Sequence, residues 1–197
     1  MNALTHLFLE ELAGCYDAGK RLVPALSGMA KSSTCKNLQK LLTSHMKETE
    51  RRVRSVESVF TLFGSVARAR DCDAVIGLLE EGDQITFDYK GTVAINAALI
   101  LIAQKIAHHE IASYGCLRSW AALLGNEQSV VILHEILLEE KTANHAFSEL
   151  ARSQINEEAL GRRGPVESHC DGTDARNRNV RPGMRRMSFG RAETVLA

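Results

Sequence analysis

Three short strings place imidazole and carboxylate groups about one helical turn apart: His45 and Glu48, then His108, His109 and Glu110, then Glu140 followed by Asn144. Side chains three or four residues apart share a helix face. Where facing helices carry such groups at one depth, they can hold hard divalent ions, because carboxylates neutralise metal charge and bridge two ions while imidazole completes the shell. That donor set suits iron or manganese. A buried ionic cluster without metal uses the same residue types, and spacing alone does not separate the two. The candidate metal ligands are His45, Glu48, His109, Glu110 and Glu140. No motif marks a catalytic nucleophile or an organic cofactor.

The element that must position the middle string runs from Thr92 to Leu124. Stepping alternately four and three residues from Ile95 gives Leu99, Ile102, Ile106, His109, Ser113, Cys116, Trp120 and Leu123, an apolar seam interrupted at its centre. A second row through Ile100, Ala103, Ala107, Glu110, Tyr114 and Leu117 widens the buried face, so several helices must pack on it. The apolar run Val93 to Ala103 is too short for a bilayer, which needs about 20 residues.

The other elements follow the same rule. A first helix, Leu4 to Met29, has the seam Leu4, Phe8, Leu12, Cys15, Gly19, Leu22, Leu26 and Met29, with Gly19 weakening it and Pro24 expected to kink it. Ser33 or Thr34 is the expected N-cap of a second helix, Cys35 to Phe63, whose seam reads Leu38, Leu41, His45, Glu48, Arg52, Val56, Val59 and Phe63. A short helix of about Ala74 to Phe87 precedes the organising helix. Gly125-Asn126 then breaks the chain before a last helix, Glu127 to Ile155, with Leu133, Leu137, Glu140, Asn144 and Phe147 on its inner face.

Composition sets the class. Of the 197 residues 45% are hydrophobic, 5% are aromatic and only three are proline, which favours an all-α domain over a β-sandwich. Residues 1–157 read as one helical bundle and 158–197 as a disordered basic tail rich in Gly, Arg, Asn and Ser. From Arg162 onward eight arginines face four acids, so the tail carries +4 and the body −4 of a net charge of zero. The folded part therefore has no basic nucleic-acid footprint, and the tail names no partner. Five cysteines without a CxxC pair suggest neither a disulfide framework nor a zinc knuckle and fit a reducing cytoplasm. Leu12-Ala13-Gly14-Cys15 has the outline of a lipoprotein cleavage box, but Glu10 and Glu11 fall where the apolar segment belongs, and it is set aside.

The string Ala103-Gln104-Lys105-Ile106-Ala107-His108-His109-Glu110-Ile111-Ala112-Ser113-Tyr114-Gly115 resembles the YciE/YciF-like ferritin-like proteins, a bacterial family of unknown function associated with stress. So do His45-Met46-Lys47-Glu48-Thr49, Gly77-Leu78-Leu79-Glu80-Glu81 and Leu138-Glu139-Glu140-Lys141, in continuous order over residues 3 to 152. The resemblance implies a ferritin-like antiparallel four-helix bundle with an additional short helix between the second and third long helices. It also implies a homodimer and a rubrerythrin-like di-metal centre. The departures bear on that centre: Gly19, Ala107 and Asn144 stand where the family has acids, and Arg52 stands where glutamine is common.

A pair of divalent ions carries +4, and the surviving inner acids are Glu48, Glu140 and Glu110. Buried metal charge would be poorly compensated. Arg52, one turn from Glu48, can instead neutralise Glu48 or Glu140 through a bidentate contact. Three readings stand: an ion-pair network in place of the metals, a remnant single-ion site, and an intact di-metal oxidase. The first makes the protein a non-catalytic module, and the others make it an iron- or manganese-binding protein with oxidase or peroxide-related activity.

Overall fold

The computed structural model describes residues 2–161, so the basic tail expected from residue 158 lies, but for its first four residues, outside the described residues. Among the described residues four long helices, the shorter α3 and a terminal turn are formed: α1 Ala3–Ser32, α2 Lys36–Leu62, α3 Asp73–Tyr89, α4 Ile95–Leu123, α5 Glu127–Leu150 and α6 Asn156–Ala159, with a π-helical turn Ala151–Ile155 before α6. Where one unbroken helix was expected to Ile155, the chain widens by that turn and buries Ile155.

Local chemistry sets the boundaries. Asn2 opens α1 by accepting the Thr5 backbone N–H at 2.8 Å. Gly19 and Pro24 lie inside one continuous α1, their cost offset by burial of Leu22, Leu26 and Met29 on the same stripe. The N-cap position of α2 is Cys35, whose N–H goes to Ser33 Oγ at 3.2 Å; neither Ser33 nor Thr34 caps α2 directly. Helices α2 and α4 both end in a glycine of positive φ, Gly64 at 66° and Gly125 at 73°. The paired bonds Ser65 N–H to Phe60 O and Asn126 N–H to Ala121 O close these ends as Schellman turns.

The helix directions follow from two asparagines. Asn96, at the start of α4, accepts from Ser33 Oγ and Thr34 N at 2.9 and 3.0 Å, so α4 begins where α1 ends and α2 begins. Asn126 caps α5 and also donates to Leu62 O at 3.0 Å, so α5 begins where α2 ends. Each long helix is therefore antiparallel to its packed neighbours, α1 on α2, α2 on α5, α5 on α4 and α4 on α1, while α3 packs on α4. Gly82 permits that close approach, since a Cβ there would sit 3.0 Å from Ile102 Cγ2.

The core is split in two. One half gathers Leu22, Leu26, Leu38, Leu42, Leu99, Ile102, Ile106 and Phe147. The other gathers Phe8, Leu12, Val56, Phe60, Tyr114, Leu117, Leu133 and Leu137. Some seams differ from the heptad expectation. On α2 the buried stripe takes Leu42, Thr49 and Phe60 in place of Leu41, Glu48 and Phe63. On α4 both rows are buried at the start, but beyond the midpoint the first row keeps only Ser113 buried: Cys116 and Leu123 are exposed, and His109 is half-buried. A straight helix drifts by about 20° per heptad, and α3 covers the first half of α4, which together rotate the seam outward. Among the described residues no helix is long and apolar enough to cross a membrane.

Candidate functional site

Between the two half-cores lies a polar layer. From α2 come His45, Thr49 and Arg52, from α4 Glu110 and from α5 Glu140, and none of the five is more than 2% exposed. Thr49 returns its hydroxyl to His45 O at 2.9 Å and takes no further part. Arg52 is the hub. Its Nη1 donates to Glu110 Oε1 at 2.9 Å, and its Nη2 pairs with Glu140 Oε1. Its guanidinium carbon stands 5.9 Å from the centre of the Tyr114 ring, within cation–π range. The guanidinium thus bridges two acids on different helices instead of chelating one, and it does not reach Glu48.

His45 completes the layer. Its ring meets Phe147 edge-on at 5.9 Å, its Nε2 lies 3.9 Å from Glu140 Oε2, and its Nδ1 lies 3.8 Å from Glu48 Oε2. Glu48 sits at the rim, its side chain 28% exposed, and accepts from Ser44 Oγ at 3.2 Å.

The electrostatics follow from a small count. One guanidinium faces two buried carboxylates, which leaves room for one more proton. Burial first, then the charge of Glu110, pushes the Glu140 carboxyl up to about 8 against the opposing pull of Arg52 and His45. Burial disfavours the His45 imidazolium, but the contact with Glu48 and the charge of Glu140 outweigh it and raise its affinity for a proton. Arg52 is likewise held charged by Glu110 and Glu140 in spite of its burial. The layer is neutral when that proton resides on either His45 or Glu140.

Ligand atoms of His45, Glu110 and Glu140 lie within 4.8 Å of one another, and Glu110 Oε2, Glu140 Oε2 and both His45 ring nitrogens have no hydrogen-bond partner. In donor type these atoms suit a cation. The charge does not fit two: a pair of divalent ions beside Arg52 would place +5 against two fully buried carboxylates, with Glu48 at the rim. The positions the resemblance marks as acidic offer no relief. Gly19 is packed so that a Cβ would meet Val53 Cγ2 at 3.0 Å, and Ala107 is fully buried. Asn144 faces Gln104 Nε2 at 3.5 Å.

His109 is not brought into the layer. It follows a helix on which successive side chains diverge by about 100°, so with Glu110 turned inward its imidazole faces the segment before α3, where Nε2 lies 3.5 Å from Cys72 Sγ. Sequence reasoning missed two further groups. Asp17 is buried on α1, accepts from Arg21 Nε at 2.6 Å and from the Cys72 backbone N–H at 3.2 Å, and so docks that segment on the bundle. Only its one-turn spacing from Arg21 signalled a role. Tyr114 carried no signal beyond its place on the second row of α4.

An all-α bundle with a short additional helix and a buried polar layer defines the class, and the family match agrees. The family described as Domain of unknown function (DUF892) matches residues 3–160, and the chain belongs to it. Protein YciF of Escherichia coli (strain K12) is 31% identical over 160 residues, 81% of this chain and 96% of its own. The crystal structure of the E. coli stress protein YciF superposes with a TM-score of 0.76 at 30% identity, covering 80% of this chain and 99% of that one. YcfI from Rhodopseudomonas palustris gives 0.72 at 33% identity over 75% of this chain and 94% of its own. A Xanthomonas campestris protein, 18% identical with a TM-score of 0.63, shares the fold.

Proposed function

We propose that this chain is a ferritin-like, stress-associated bundle of the YciE/YciF type in which an ion-pair layer has taken the place of a di-metal centre, and that its role is structural and not catalytic. One observation carries the reading: the Arg52 guanidinium lies between Glu110 and Glu140 with all three side chains sealed from water. The similarity to YciF, a stress protein of E. coli, supports the setting. The odd cysteine count without a CxxC pair supports a reducing cytoplasm, and the resemblance supports a homodimer, which light scattering after size exclusion tests.

The deciding experiment is a metal-to-protein ratio. The full chain is reconstituted anaerobically with Fe(II) or Mn(II), desalted and analysed by mass spectrometry of the elements. The expected ratio is far below one ion per chain. Two ions per chain, lost in Glu140→Ala, would overturn the reading. A single ion lost in Glu110→Ala would replace it with a mononuclear site on His45, Glu110 and Glu140, the reading that their 4.8 Å convergence favours.

A further inference from the structure

The outer ridge of α2 stands apart from the buried layer in its charge. Lys36, Lys40, Lys47, Arg51 and Arg54 are all exposed, and Glu50 is the one exposed acid on the helix. At 3.6 residues per turn these cations fall within a sector about 60° wide, and at 1.5 Å per residue they extend over about 27 Å. They form a straight row. The flanking acids are already engaged: Glu57 accepts the Tyr16 hydroxyl at 2.7 Å, and Glu48 meets His45 and Ser44. Arg51 has Glu139 at 3.9 Å, whereas Lys36, Lys40, Lys47 and Arg54 form no ion pair among the described residues.

The same surface is indented. Between Lys36, Lys40 and Lys47 lies an open depression of about 530 Å³, its wall completed by Gln39, Thr43 and Ser44. A second, of about 360 Å³, adjoins it between α1 and α2 and takes in Lys31. Neither wall contains a carboxylate. The net charge of −4 on the body conceals this distribution, because acids are gathered elsewhere. Helix α3, which packs on α4 and α1, carries Asp73, Glu80, Glu81, Asp83 and Asp88 and no base. Net charge averages over the whole surface, whereas at physiological salt a charge is felt over about 8 Å.

We infer that the α2 ridge binds the phosphate backbone of duplex nucleic acid without sequence preference, in contrast to what the net charge alone suggests. A duplex presents one negative charge per about 1.7 Å of its axis, so a row of about 27 Å lies along about eight base pairs and meets several phosphates at once. A small anion cannot span the row, and the row offers no large apolar side chain to a lipid surface. An acidic protein segment would have to be ordered on the ridge, whereas a duplex arrives straight. Contacts to phosphate alone position a duplex and carry no base readout.

The full-length protein is titrated into a short fluorescein-labelled DNA duplex, and anisotropy is followed as salt rises from about 50 to 200 mM. Binding at the low end is expected, with equal affinity for two unrelated sequences. Lys40→Gln combined with Lys47→Gln is expected to weaken it about tenfold or more and to make the slope of log K against log salt shallower by about 2. Lys90→Gln combined with Lys141→Gln removes the same charge from other faces and is expected to change affinity by less than about twofold. Full affinity in the Lys40/Lys47 variant would overturn the proposal by leaving the binding to the arginines from Arg162 onward. So would an equal loss in the Lys90/Lys141 variant, which is a net-charge effect, or no binding at the lowest salt. Tighter binding of poly-glutamate than of the duplex would give the ridge to an acidic protein partner and overturn it as well.

Discussion

Arg52 on α2 and Glu140 on α5 form an ion pair from which water is excluded, their side chains 1% and 0% exposed. Removing two charges from water costs several kcal/mol per ion, and their attraction repays this only when the remaining lone pairs and protons are satisfied. Here they are only partly so. Arg52 Nε, Glu110 Oε2 and Glu140 Oε2 lack hydrogen-bond partners, and the nearest imidazole nitrogen to Glu140 is 3.9 Å away. The layer therefore fixes which helix faces meet more than it adds to stability.

Breaking one member while leaving the others is expected to be costly. Arg52→Ala strands two carboxylates in the core and should lower the unfolding free energy by about 3–5 kcal/mol. Replacing Arg52, Glu110 and Glu140 together by Met, Leu and Leu should recover most of that loss, because no charge is left buried. Urea unfolding followed by circular dichroism measures both. A loss within about 0.5 kcal/mol for Arg52→Ala would show a solvated side chain instead.

Stability should fall with rising pH across the neutral range. In the unfolded chain the Glu140 carboxyl releases its proton near 4.5, whereas in the fold burial holds it to about 8. His45, whose ordinary value is 6.5, is shifted in the same direction. Between those limits the folded state binds more protons than the unfolded one, so the contribution is full below pH 4.5 and is lost as the pH rises through about 8. For one proton the slope cannot exceed about 1.4 kcal/mol per pH unit. Glu48 and Glu110 favour the proton and Arg52 opposes it. Glu140→Gln removes the site, so the difference between its denaturation midpoints and those of the native chain should narrow in that window. An unchanged difference from pH 5 to 8 would show that both carboxylates are ionised throughout.

The helices and the depth of the polar layer were legible because apolar periodicity and the glycine stops are local signals. Arg52 was legible as a foreign charge on an apolar seam. Its partners were not fully so: a heptad walk places Glu48 on the seam, whereas the true periodicity turns Thr49 inward and leaves Glu48 at the rim. Similarly, His109 and Glu110 compete for one inward direction, and only the packing of α3 and α5 around α4 decides it. The segment 63–72 has no periodicity, so its docking on α1 through Ala13 and Asp17, and with it the Cys72–His109 contact, could not be read.

At Gly19 two effects of similar size oppose each other. Alanine gains about 1 kcal/mol of helix propensity over glycine, but its Cβ would meet Val53 Cγ2 at 3.0 Å, and overpacking costs about 1–3 kcal/mol. Gly19→Ala is expected to be neutral or destabilising in the native background and stabilising by up to about 1 kcal/mol once Val53→Ala removes the obstacle. A double-mutant cycle gives the coupling, and additivity within about 0.3 kcal/mol would show that Val53 yields without cost.

Glu48 and Glu140 give the sharpest contrast between an ion-pair layer and a metal centre. If both bridged ions, removing either would empty the site, and the two losses would match. In the structure their surroundings differ: Glu140 is fully buried against Arg52, whereas Glu48 is partly hydrated and contacts Ser44 and His45. Glu140→Ala leaves the guanidinium with Glu110 alone and opens a hole beside His45, a cost of about 2–4 kcal/mol. Glu48→Ala loses a screened contact worth about 1 kcal/mol or less. Unfolding of the two variants under one set of conditions, with and without added Mn(II), tests the ranking. Equal losses in both, appearing only when the metal is present, are the pattern a bridged site would give and an Arg52-centred layer would not.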